Sequence, residues 1–429
     1  MRKLSPVAPG AKVTWLELFY DLVFAYAFIN VTLAASTGLD DVLRALLLVA
    51  VLWYLWVTFV TLDNIMRGDE GLLPFATLVG VGATFVAAVV IPDAYGNRPR
   101  GADFIFAGCY SVVRLVQVAA IWQRVRTDPR LRPRWFGLVS PPIVNMALLL
   151  TAATLPHFVA GHTFLIHAGL LGLAIVVAYG ASAFLGFQEL ERIAVRHWAD
   201  RYGQIILIAL GEPIISMGSA LHLSNGAPAK LPVVGTVALG VAIITAMAFA
   251  YFDTRMPAAE HALRLAQGRS QVALARDAYI FLHLPMIIGI LLFSLGLRNV
   301  LSSVADPAAS LTVAAGLVNT SLLYGGLFVY LMALMGFQLR TGQTARVIEV
   351  GSRLPLLPMI ALGLVLPAIV LVAMLAALVV ATSILKYLRT GVSRTRLRAV
   401  VRAAHRAVEA AEAYEHGREG DHGSDTPGA

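Results

Sequence analysis

The sequence predicts an all-α, polytopic membrane protein, a bundle of about 12 transmembrane helices, from three observations. Of its 429 residues, 58% are hydrophobic and only 14% are charged, whereas a soluble chain is about 25% charged. Apolar runs recur along nearly the whole chain, each of about 20 residues, the length that crosses the hydrocarbon as a helix. Lys and Arg gather in alternate gaps between those runs. The formal charge of +8 therefore reads as a device for orientation in the bilayer, and no nucleic-acid partner is expected.

The first span is predicted at 14–35. Arg2, Lys3 and Lys12 precede it, but Glu17 and Asp21 fall where a signal-peptide core would be purely apolar, so an uncleaved span is expected. Further spans follow at 42–62, 72–92, 103–123, 135–156, 163–185, 203–221, 233–253, 277–298 and 309–337, separated by Gly, Pro and charge. The stretch 354–388 has no charge between Arg353 and Lys386. As one helix it would rise about 50 Å, well beyond the hydrocarbon thickness. The alternative is two short spans folded near Gly363 or Pro367.

Charge distribution weighs between these. With twelve spans and a cytoplasmic N-terminus, cytoplasmic segments hold 27 of the 33 basic residues, outer segments hold 5, and Arg114 lies within a span. Eleven spans would move the eight basic residues of the tail outside, so twelve spans with both ends inside is expected. The densest cluster, "WQRVRTDPRLRPRW", holds five arginines between Arg124 and Arg134. It orients the chain and offers contact to anionic lipid headgroups. Beyond Lys386, the apolar Leu397, Val400, Val401, Ala404 and Val408 recur at helical spacing opposite basic residues. That predicts an amphipathic helix lying on the inner leaflet, followed by a disordered "REGDHGSDTPGA".

Ionisable residues inside spans carry the functional reading. Counted at 1.5 Å per residue, Glu17 lies ~5 Å and Asp21 ~10 Å inside the cytoplasmic edge, Arg114 and Glu212 ~14 Å, and His283 ~10 Å. All five fall in the cytoplasmic half, and Glu17 and Asp21, four apart, share a helix face. The bland reading is an ion pair of Asp21 or Glu212 with Arg114. The acids outnumber the base, however, and such an excess does not persist in a low-dielectric site. A proton, a cation or a charged His283 would balance it, which makes the five a proton- or ion-binding cluster. Pro213 frees the carbonyl of Ala209, and with Gly211 and Gly218 nearby it predicts a kinked or unwound turn beside Glu212. His283 also reads as a packed, hydrogen-bonded histidine. Cys109 is the single cysteine, and His157, His162 and His167 show no zinc-site spacing, so neither a metal nor a cofactor is expected.

Asp21 to Asp63 spans 42 residues and Glu212 to Asp253 spans 41. This matched spacing suggests two parallel six-span halves, 1–190 and 191–390, with 391–429 as a cytoplasmic appendage.

The segments "VTWLELFYDLVFAYAF", "DRYGQIILIALGEPIISMG", "HLPMIIG" and "YGGLFVYLM", spread over residues 13 to about 388, resemble the low-temperature-requirement A (LtrA) family of bacterial membrane proteins. The resemblance marks Trp15, Glu17, Asp21, Arg201, Tyr202, Gly211, Glu212 and His283 as signature positions. The family's usual Gly-Glu-Ser here reads Gly-Glu-Pro, so Pro213 replaces a hydroxyl beside the acid. It implies a multi-pass protein of the bacterial cytoplasmic (inner) membrane. Three functions remain open: a secondary transporter or proton/cation-coupled permease for a small solute or ion, a membrane scaffold or stress sensor tied to growth in the cold, and a membrane-embedded lipid-modifying enzyme.

Overall fold

The computed structural model describes residues 13–35, 38–65, 73–96, 101–159, 162–183, 193–222, 230–306, 312, 314–344, 351 and 353–422. Its helices are α1 (Trp15–Ala34), α2 (Leu39–Ile65), α3 (Leu73–Val90), α4 (Gly101–Thr127), α5 (Trp135–Thr154), α6 (Thr163–Ala181), α7 (Val195–His222), α8 (Leu231–Phe252) and α9 (Arg255–Leu265). They continue with α10 (Gly268–Ala305) and α11 (Leu317–Arg340), each containing a π-helical stretch, at Ala275–Phe281 and Ser321–Gly325, and end with α12 (Ala368–His422). Among the described residues, ten helices are long and apolar enough to cross a membrane, and 74–90 and 354–364 are shorter apolar helices. The protein is an all-α polytopic bundle.

The bundle exposes its grease. Leu22, Leu207 and Val176 are each at least 60% exposed, while Asp21 beside Leu22 is 1% exposed. Apolar outside and charge inside is the arrangement that hydrocarbon solvent dictates.

Two helices, α1 and α7, position the site. α1 opens on a capping box: the Thr14 hydroxyl accepts from the Glu17 amide, and the Glu17 carboxylate accepts from the Thr14 amide. Side-chain pairs Glu17–His197, Asp21–Arg201 and Thr32–Glu212 then join α1 to α7, each 180 residues apart. A constant offset means parallel helices in fixed register, here over about 22 Å of axis. Asp21 and Glu212, equivalents under the spacing argument, therefore lie eleven residues apart in depth on neighbouring parallel helices.

α10 packs on α7 and α11. A Cβ on Gly289 would meet the Tyr330 backbone nitrogen at 2.5 Å, and one on Gly326 would meet that of Phe293 closer still. Glycine is needed at this crossing, where two backbones touch as small-residue membrane packing allows.

Residues 354–388 form a hairpin. Short 3-10 helices, Leu354–Leu356 and Pro358–Leu364, lead to a turn at 365–367, and α12 returns. Arg353 and Lys386 line one cavity of about 60 Å³, so the two arms meet at that end. At the turn, the Ala315 and Gly316 amides donate to the carbonyls of Leu366 and Gly363. A 3-10 helix rises about 2.0 Å per residue against 1.5 Å for an α-helix, which lets the shorter arm match the longer one.

Two expectations need correction. Of the kinked or unwound turn expected at Pro213, the unwound form is absent, since α7 runs through Pro213 as one helix. The segment after Lys386 is no separate surface helix either: α12 continues unbroken to His422. No proline interrupts it before residue 427, and an isolated glycine costs a helix only about 1 kcal/mol. Of the tail expected to be disordered, 418–422 is helical, and 423–429 lies outside the described residues.

Candidate functional site

The ionisable residues form separate layers along α1 and α7. In the inner layer, the Arg201 guanidinium of α7 meets three carboxylates. Asp21 is 2.9 Å from it, Glu17 3.7 Å and Asp63, at the end of α2, 3.8 Å. His197, one turn before Arg201, places Nε2 3.1 Å from Glu17. The Trp56 indole donates to Asp21 at 2.7 Å. All five ionisable groups are buried, Arg201 completely and Asp63 at 6% exposure. Helical periodicity explains the meeting: Glu17 and Asp21 are one turn apart on α1, His197 and Arg201 one turn apart on α7, and parallel register brings pair to pair.

The outer layer surrounds Glu212. Thr32 of α1 donates to its carboxylate at 2.7 Å, and Ser216 donates from the next turn of α7. Arg298 of α10 donates to the Thr32 carbonyl at 3.1 Å and acts electrostatically on Glu212. Eleven residues of α7 separate Arg201 from Glu212, about 16 Å of rise, so the acids do not form one cluster.

Arg114 joins neither layer. Its Nε donates to Tyr110 at 2.9 Å, and its Nη1 donates to Thr58 at 3.0 Å and to Gln117 at 2.8 Å. The expected pairing of Arg114 with Asp21 or Glu212 is replaced by Arg201 with Asp21 and Arg298 beside Glu212.

His283 is fully buried in an aromatic cage. Its Nε2 lies 2.8 Å from the Tyr251 hydroxyl and its Nδ1 3.1 Å from the Ala278 carbonyl. The carbonyl can only accept, so Nδ1 carries the proton and Nε2 accepts from Tyr251. Tyr279 stacks on the ring, and Tyr202 and Phe337 meet it edge-on. Tyr202 also packs on Trp53, Trp56 and Trp198, so it joins this cage to the Trp56 that holds Asp21.

Of the other signature positions, Trp15 is 72% exposed at the start of α1. Gly211 has open space where a Cβ would sit. Pro213 is accommodated within α7.

Sequence reasoning missed His197, Trp56, Thr32, Ser216 and Arg298, and treated Asp63 only as a spacing marker. A signal existed for His197 and Arg201: an i, i+4 pair of basic residues facing an i, i+4 pair of acids. Among the described residues, no group of three or more His, Cys, Asp or Glu could hold a metal ion.

The chain matches the family model described as "Bacterial low temperature requirement A protein (LtrA)" over residues 12–384. It is 24% identical over 300 residues to "Uncharacterized protein RA0937" of Rhizobium meliloti (strain 1021), an alignment covering 66% of this chain and 68% of that protein. No solved structure matches the chain. The match takes in every helix of both ionic layers and stops at residue 384, before the long extension of α12. The chain belongs to the bacterial low-temperature-requirement A (LtrA) family of multi-pass membrane proteins.

Proposed function

We propose that the chain is a proton-coupled secondary transporter whose coupling site is the inner layer of Glu17, Asp21, Asp63, His197 and Arg201. One observation carries this reading: three buried carboxylates lie within 3.8 Å of a single guanidinium. With His197 neutral the layer sums to −2, and a low-dielectric site does not sustain such an imbalance. The guanidinium occupies the centre, where a metal cation would need to sit, so the mobile species is a proton. The cargo is a small solute or ion. Glu212 belongs to a second polar layer on the same helix, and no catalytic role is assigned to any residue.

The chain sits in a bacterial inner membrane with twelve spans and both ends in the cytoplasm. Arg124–Arg134 and the basic part of α12 face anionic headgroups. The parallel pairing of α1 with α7, the first helices of 1–190 and 191–390, supports two six-span halves.

A second reading is a scaffold in which the layer is a clamp. The Glu17 capping box and the Trp56–Asp21 bond favour it, since both tie the acids to structural duties. Proteoliposomes loaded with a pH-sensitive dye discriminate. Under an imposed gradient the wild type should move protons, and folded Asp21→Asn and Asp63→Asn variants should be slowed. Equal rates in all three would leave the clamp.

A further inference from the structure

We propose that Arg114 is the centre of a binding site for a small monovalent anion, either a halide or the carboxylate of an organic solute. The inference concerns binding and is independent of proton coupling in the inner layer. Arg114 lies thirteen residues from either end of α4, at the middle of its span, and is fully buried. No carboxylate comes within 4.0 Å of it among the described residues. Every partner of its guanidinium is neutral: the Tyr110 and Thr58 hydroxyls and the Gln117 amide oxygen, with the rings of Tyr54 and Tyr110 at 4.5 and 5.0 Å. Its Nη2 makes no hydrogen bond. The acids of the inner layer face Arg201 and His197 instead.

Intramembrane charges are ordinarily paired or mark the path of an ion or substrate. This one keeps an unspent donor and a full positive charge at mid-depth, where transporter sites lie. Tyr20, from α1, brings a buried hydroxyl that lies beside Thr84 and within electrostatic range of Arg114, Asp21 and Asp63. One guanidinium nitrogen with a hydroxyl nearby fits a single negative charge better than a phosphate dianion, which calls for several cations.

The test uses the full-length protein in detergent, titrated with sodium chloride or sodium acetate against sodium gluconate at constant ionic strength, with the thermal unfolding midpoint as readout. The wild type should rise saturably with chloride, acetate or both, and the responding salt identifies halide or carboxylate. Arg114→Lys should respond more weakly and Arg114→Gln should not respond. If Arg114→Gln does not fold, Tyr20→Phe takes its place, shifting the half-saturating concentration upward by about tenfold, as expected from a lost hydrogen bond to a charged ligand. A wild type indifferent to both anions, an Arg114→Gln protein responding as the wild type does, or an unshifted half-saturating concentration in Tyr20→Phe would each overturn the proposal.

Discussion

Arg201 holds the inner layer together, because removing it strands three buried acids. Arg201→Gln should lower stability by about 3–5 kcal/mol, the cost of leaving a buried ionic group without its partner, measured as a fall in the unfolding midpoint of purified protein. Adding Asp21→Asn to Arg201→Gln should recover part of that loss, since it removes one stranded charge. A double variant less stable than Arg201→Gln would show that the pair is not coupled as described. Trp56→Phe removes the indole donor to Asp21 while keeping the ring, and should cost about 1.5–3 kcal/mol, as hydrogen bonds to charged groups do. The presence of Glu17 and Asp21 in a first span was legible as a pair demanding partners. Arg201 as the partner was not, because "VRHWADRY" is too polar to read as membrane helix by hydropathy. α7 starts at Val195, eight residues before the apolar run, and His197 and Arg201 of that stretch pair inward. The same shift carries Glu212 outward, from about 14 Å to about 25 Å along its helix, and removes it from the inner layer.

At the scale of elements, apolar periodicity fixes which segments are helices, and backbone contacts decide how they meet. Gly289 and Gly326 lie within the segments "HLPMIIG" and "YGGLFVYLM", and the crossing of α10 and α11 explains them. Gly326→Ala should cost about 1–3 kcal/mol through forced separation of the two helices, while Ala at Gly211, where space is open, should change stability little; comparing their unfolding midpoints checks this. The fold at 365–367 was legible as one of two choices, since 35 apolar residues exceed one crossing. Its 3-10 arm and the π-helical stretches of α10 and α11 were not, because they depend on tertiary contact and leave no compositional trace.

Over the whole molecule, the excess of Lys and Arg in alternate gaps predicts that both ends lie in the cytoplasm. A green fluorescent protein fused after residue 429 should fluoresce, and alkaline phosphatase fused there should be inactive; the reverse pattern would refute the twelve-span orientation. α12 runs as one helix from Ala368 to His422. The proposed proton coupling rests on the other charge asymmetry, the surplus of acid around Arg201. Infrared difference spectroscopy on the reconstituted protein, comparing acidic with alkaline buffer, measures it most directly. The account predicts a protonated-carboxyl band in the wild type that is diminished in Asp63→Asn or Asp21→Asn. A spectrum with no pH-dependent carboxyl band, or one unchanged by both substitutions, would contradict it.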